Sequence, residues 1–151
     1  GAANLLLGVV VPGAVEVGVA RLPAIEETRK FRPGQSVKLV FRPEDVCLSP
    51  DAKLPEGCRR LASGVVEEVS FVGAYERLNV RLDLTHRRQT ESEAPLYDVT
   101  INTPERMTGV PIMVTLPKLE AHAIRYKAGD RVAVGLTSFS VLVNYTLARQ
   151  K

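Results

Sequence analysis

Few residues in this chain stand at spacings that could do chemistry. The densest charged string is Arg42-Pro43-Glu44-Asp45, one base and two carboxylates around a proline. Pro43 fits a tight corner between strands, and carboxylates at such corners bond nearby backbone N–H groups. The alternative use is ionic. Arg42, Glu44 and Asp45 are the candidate interface residues, with Arg42 and Glu44 placed to meet another domain or subunit. A second corner, Thr137-Ser138-Phe139-Ser140, lacks those charges. Its candidate role is anion binding, with Thr137 and Ser138 supplying hydroxyls beside backbone N–H groups. His86 and His122 stand alone, without Cys, His or Asp at metal-ligand spacing. No G-x-x-x-x-G-K-[ST] loop and no G-x-S-x-G elbow occurs. Catalytic, cofactor and metal residues are therefore none, and the isolated chain is expected not to hydrolyse ATP.

The elements that must position these corners are written twice. Phe31-Arg-Pro-Gly34-Gln-Ser-Val37-Lys-Leu39-Val-Phe41 returns as Tyr126-Lys-Ala-Gly129-Asp-Arg-Val132-Ala-Val134-Gly-Leu136, 95 positions later (129 − 34). Past the corner, Val46-Cys47-Leu48 is matched to Val141-Leu142-Val143 at the same offset. The openings repeat as well. Leu5-Leu-Leu-Gly8-Val9-Val10 resembles Leu61-Ala-Ser-Gly64-Val65-Val66, offset by 56 (64 − 8). An internal repeat sets architecture before local detail does. It divides the chain into a first unit with linker, 1–60, and a second, 61–151, with a long insertion around 84–120.

Alternation of apolar and polar residues predicts half-buried strands over Val37–Phe41 and Val132–Leu136. Further strands are expected over Gly64–Phe71, Tyr75–Leu84, Tyr97–Asn102, Ile112–Leu116 and Ala121–Tyr126. Single helical turns are expected within Ile25–Phe31 and Pro43–Val46. Short strands punctuated by Pro and Gly predict an all-β barrel or sandwich. Thr85–Pro95 reads as an exposed hairpin tip or loop.

Composition narrows the function classes. The chain has 151 residues, 45% hydrophobic and 25% charged, as soluble domains do. A net charge of +3 does not demand nucleic acid or anionic lipid, and 5% aromatics with no Trp give few platforms for stacking bases. Nucleic acid is therefore not an expected partner. Arg59-Arg60 and Arg87-Arg88 fall in expected loops as solvated charge, and Glu67-Glu68 reads as a polar face or sheet edge. Cys47 lies in an apolar run, so Cys47 and Cys58 are expected as free thiols in a reducing compartment, with a structural disulfide as the alternative. The start, lacking Met and a basic n-region, reads as a cut inside a longer protein.

Three strings together resemble a known family. They are Ala3-Asn4-Leu5-Leu6-Leu7-Gly8, Val40-Phe41-Arg42-Pro43-Glu44-Asp45-Val46, and Gly64-Val65-Val66-Glu67-Glu68-Val69-Ser70-Phe71-Val72-Gly73-Ala74 running on into Arg77-Leu78-Asn79-Val80. In this order they are similar to the C-terminal TOBE (transport-associated OB) region of ATP-binding cassette import ATPases. The resemblance implies tandem OB-like β-barrels with little helix. It implies a cytoplasmic place at the inner face of the cell membrane. The implied partners are its own ATPase domain, a second copy of the subunit and membrane permease subunits. ATP and Mg would belong to the parent domain, with no cofactor in this part. The implied role is non-catalytic: support of ATPase dimerisation and regulation of transport.

The alternative is a small oxyanion sensor. Related molybdate-uptake domains carry a Ser-Ala-Arg-Asn start and a Lys-rich corner. Here Gly1-Ala-Ala-Asn4 keeps only Ala3 and Asn4, and Thr137-Ser138 has no adjacent Lys.

Overall fold

A computed structural model describes residues 3–84, 109–117 and 124–144. Ten strands are described in chain order: β1 Asn4–Val11, β2 Ala14–Val17, β3 Ala20–Pro23, β4 Ser36–Phe41, β5 Val46–Ser49, β6 Arg59–Val72, β7 Tyr75–Leu82, β8 Val110–Pro117, β9 Arg131–Leu136 and β10 Ser140–Val143. The expected helical turns are 3-10 turns over Glu26–Lys30 and Pro43–Asp45. β3 was not legible, because Ala20-Arg-Leu-Pro23 is too short to show alternation. The strand expected over Tyr97–Asn102 lies outside the described residues. Of Ala121–Tyr126, the described residues 124–126 are not strand.

All ten pair antiparallel in two five-stranded sheets, ordered β10-β4-β1-β2-β3 and β5-β9-β6-β7-β8. The order carries a reciprocal exchange. β5 follows the first four strands in the chain but pairs with β9, while β10 follows β9 but pairs with β4. Each sheet is closed by a strand from the other half, so neither set of ladder bonds is complete alone. The inward residues of both sheets form one core, with Leu6, Val37, Leu39, Val66, Leu78, Val80, Val134 and Leu136 fully buried. The architecture is all-β, a pair of OB-like barrels.

The repeat holds at atomic detail. Gly34 has φ 93° and Gly129 φ 96°, the left-handed turn that favours glycine. Gly34 N–H donates to Val10 O at 2.6 Å, and Gly129 N–H to Val66 O at 2.7 Å. The same turn is closed by a side chain in each unit: Arg32 N–H to Gln35 Oε1 at 3.2 Å, and Lys127 N–H to Asp130 Oδ2 at 2.9 Å. Gly8 and Gly64 mark close approach of a neighbouring strand. A Cβ would stand 2.8 Å from Glu16 O at Gly8, and 2.8 Å from Arg81 O at Gly64.

The repeat also breaks in two places. Val10 pairs with Val15 and Val66 with Val80, so four residues separate the first pair (11–14) and thirteen the second (67–79). The β6–β7 hairpin is thus nine residues longer than its counterpart. At the other end, Leu48 pairs with Val134 and Val141 with Leu39. The structural counterpart of Leu48 is therefore Val141, at an offset of 93 rather than 95 (141 − 48). The match of Val46-Cys47-Leu48 to Val141-Leu142-Val143 is corrected by two residues. The reason is the corner: Pro43–Asp45 forms a 3-10 turn, while the second corner has none. A shift of two keeps the side-chain parity of a strand, so Val46, Leu48 and Val141 all stay buried.

Candidate interaction surface

The Arg42–Asp45 corner is built by its own backbone. Asp45 Oδ2 accepts from Arg42 N–H at 3.0 Å, and Asp45 N–H donates to Arg42 O at 2.9 Å. Pro43 is buried, and its turn packs against β8. Arg42 and Glu44 point out and are exposed. The structure brings together residues from the two candidate sets. Thr137 N–H donates to Asp45 O at 2.8 Å, and the Thr137 hydroxyl donates to the same oxygen at 3.1 Å. Both Thr137 donors are thus engaged, which leaves exposed Ser138 as the one with donors toward solvent. Among the described residues, no three His, Cys, Asp or Glu gather as a metal site. His86, His122 and Arg87-Arg88 lie outside the described residues.

Asn4 does a job the sequence did not reveal. Its side chain donates to Met113 O and accepts from Met113 N–H, both at 2.9 Å. A side-chain amide matches a peptide group in donor and acceptor. Asn4 therefore acts as a short strand on the outer side of β8, joining the two sheets. It is buried, with 9% exposure. In the second unit the residue opposite Leu136, the counterpart of Phe41, is Arg59, and it is exposed. Arg59 and Arg60 begin β6 rather than forming a loop, although they are solvated as expected.

The cysteines overturn an expectation. Cys47 and Cys58 are joined as a disulfide, with Cα atoms 6.6 Å apart, and are not free thiols. The apolar run around Cys47 favoured a buried thiol, and the alternative, a disulfide, is the one the structure holds. Its side chain is only half-buried, on the face away from the core. There the linker lies over β9: a Cβ on Gly135 would meet Cys58 Sγ at 2.5 Å and Leu54 Cδ1 at 2.9 Å. Ser49, Asp51 and Lys53 shape the linker's start, with Asp51 Oδ1 accepting from Lys53 N–H and Ser49 Oγ, each at 2.9 Å. The Lys53 backbone N–H and the Ser49 hydroxyl hold the Asp51 carboxyl below its ordinary value.

The long β6–β7 hairpin carries three of the exposed large apolar side chains among the described residues. Its register shifts between Val66 and Glu68, a bulge that re-aims the strand. Beyond it, Phe71 is 67% exposed, Val72 47% and Tyr75 51%. Its base is tied by Arg81 Nε to Glu67 at 2.8 Å and by Asn79 to Glu68 at 2.9 Å. Glu67-Glu68 thus sits on an exposed edge, as its polarity suggested. Glu76 pairs across from Phe71 and is buried, yet its Oε1 has no hydrogen-bond partner. The signal for this arm was in the sequence: Phe71, Val72 and Tyr75 continue an apolar run past a charged break.

Among the described residues, no helix is long and apolar enough to cross a membrane. No protein-family model matches the sequence, and no curated protein matches it. The fold is similar to a solved structure of the cytoplasmic molybdate-binding protein ModG, in a form with molybdate bound. The TM-score is 0.63 over 93% of this chain and 96% of that one, at 17% sequence identity. That likeness establishes the fold alone: paired OB-like β-barrels.

Proposed function

We propose that this chain is a non-catalytic interaction module, the TOBE-type regulatory part of an ATP-binding cassette importer's ATP-binding subunit. The observation that carries the reading is the reciprocal exchange of β5 and β10. It ties the two units, 1–60 and 61–151, through backbone ladders, so load applied to one is passed to the other. A part that transmits subunit contacts while a motor opens and closes needs that stiffness. The exposed Arg42 and Glu44 on a corner fixed by Asp45 would contact the ATPase domain or a permease subunit. The place of action would be the cytoplasmic face of the membrane, and the nucleotide and Mg would be held by the ATPase domain. There the Cys47–Cys58 bond would face a reducing medium. The reading is tested on the parent polypeptide. A phosphate-binding loop and a Walker-type aspartate strand upstream of Gly1 support it; a parent without them overturns it.

The second reading, oxyanion binding, is favoured by the fold likeness to a molybdate-binding protein. Against it stand the engaged donors of Thr137 and the Asn4 amide already spent on Met113. Calorimetric titration with molybdate, tungstate and sulfate separates the two. Saturable heat favours the sensor, and none favours the scaffold.

A further inference from the structure

We propose that the outer edge of the β6 arm is a docking strand for a second copy of this chain, paired antiparallel about a two-fold axis at Ser70. The proposal deepens the scaffold reading, which calls for a twin subunit, by naming the surface.

Internal comparison isolates the arm. The first unit builds the same barrel with a hairpin nine residues shorter, so the fold does not require residues 67–79 at this length. What the extra length adds is an apolar tip of three exposed side chains, Phe71, Val72 and Tyr75. It also adds a strand edge that no described strand covers. β9 covers β6 only from Arg59 to Val65, and among the described residues no strand pairs with β6 beyond it on that side. β7, in contrast, is paired to its end, with Tyr75 opposite Pro117.

The directions of the backbone groups follow from the pairing. Asn4 takes both backbone groups of Met113, so these face away from β7. Met113's partner Asn79 then turns its own groups toward β6. Alternation sends the groups of Glu68, Ser70 and Val72 toward β7, and those of Val69 and Phe71 to the open edge. Unpaired groups of this kind are a template for strand addition.

The sequence along the edge is self-complementary about Ser70. In a two-fold pairing centred there, Val69 of one copy and Phe71 of the other exchange N–H···O bonds, twice over. Their side chains meet as aromatic–β-branched pairs, which stabilise sheets. Glu68 falls opposite Val72, so the acidic residues are not set against each other. An isologous contact of this type closes as a dimer and leaves no edge to propagate.

The test uses this chain and four variants, two compared by sedimentation equilibrium and two by disulfide cross-linking. Wild type is expected as a reversible dimer. Phe71→Pro removes the edge-facing N–H without touching the β7 ladder. Phe71→Lys keeps every N–H and places charge on the contact. Each is expected to weaken the dimer roughly tenfold or more while keeping the circular dichroism of the wild type. Ser70→Cys adds a positional readout: about 4.5 Å between Cα atoms of a non-hydrogen-bonded pair suits a disulfide. Glu68→Cys is the control, with its copies roughly 13 Å apart. A cross-linked dimer from Ser70→Cys and not from Glu68→Cys supports the register. A monomeric wild type, a dimer untouched by both Phe71 variants, or equal linking by both cysteines overturns the proposal. None of these outcomes bears on the upstream-motif or oxyanion tests, so the scaffold reading stands or falls separately.

Discussion

The first and second units share a turn, a glycine bend and a register, and they differ at an arm, a cover and a clamp. Gly34 and Gly129 close the same turn, and Gly8 and Gly64 sit at the same distance from a neighbouring strand. These shared features are what the barrel needs. The second unit alone extends its first hairpin into the Phe71–Tyr75 arm. Its outer face over β9 is covered by the Cys47–Cys58 linker. The corresponding face of the first unit leaves Leu5 39% and Leu142 50% exposed. The first unit alone has Asn4 bridging to the other sheet. Features found once are not dictated by the fold.

Four measurements would break or sharpen that comparison. Asn4→Ala strands the N–H and C=O of Met113 and should cost about 2–4 kcal/mol in urea unfolding. The same change at Arg59, its exposed counterpart, should stay within about 0.5 kcal/mol; equal losses would erase the asymmetry. Cutting the Cys47–Cys58 bond by Cys58→Ser opens a loop of sequence separation 11. The chain-entropy relation puts that loss near 3 kcal/mol. Gly8→Ala and Gly64→Ala should each destabilise by about 1–3 kcal/mol through overpacking against a backbone carbonyl. Values that differ widely between them would show that the two bends are not equivalent.

The smallest effect is a difference in pH response between the repeated turns. The Lys127 backbone N–H, helped by its ammonium, holds the Asp130 carboxyl below its ordinary 3.8. The contribution is present above that unfolded value and is lost as pH falls through the lowered folded one. Gln35, in the same place in the first unit, does not titrate. Asp130→Asn should therefore flatten the acid limb of stability against pH, while Gln35→Ala should leave its slope unchanged.

Much of the fold was legible because its signal is local. Alternation in Val37–Phe41 and Val132–Leu136 gave strands, and paired glycines gave turns, since each depends on neighbours along the chain. The Arg42–Asp45 corner was legible as a corner, because Pro43 and Asp45 act within four residues. Asn4 was not legible as a bridge: its partner Met113 is 109 residues away. Cys47 looked like a core residue because its neighbours Val46 and Leu48 are, yet parity turns its side chain to the other face.

By itself the sequence determined that this protein is built of two related all-strand units, since periodicity and glycine placement act over a few residues. Only the tertiary structure decided that the units trade their closing strands, that the thiols are joined and that one hairpin is nine residues longer than its counterpart. Those outcomes depend on which distant backbone groups find each other, and pairing partners far apart in the chain leave no periodic mark on it.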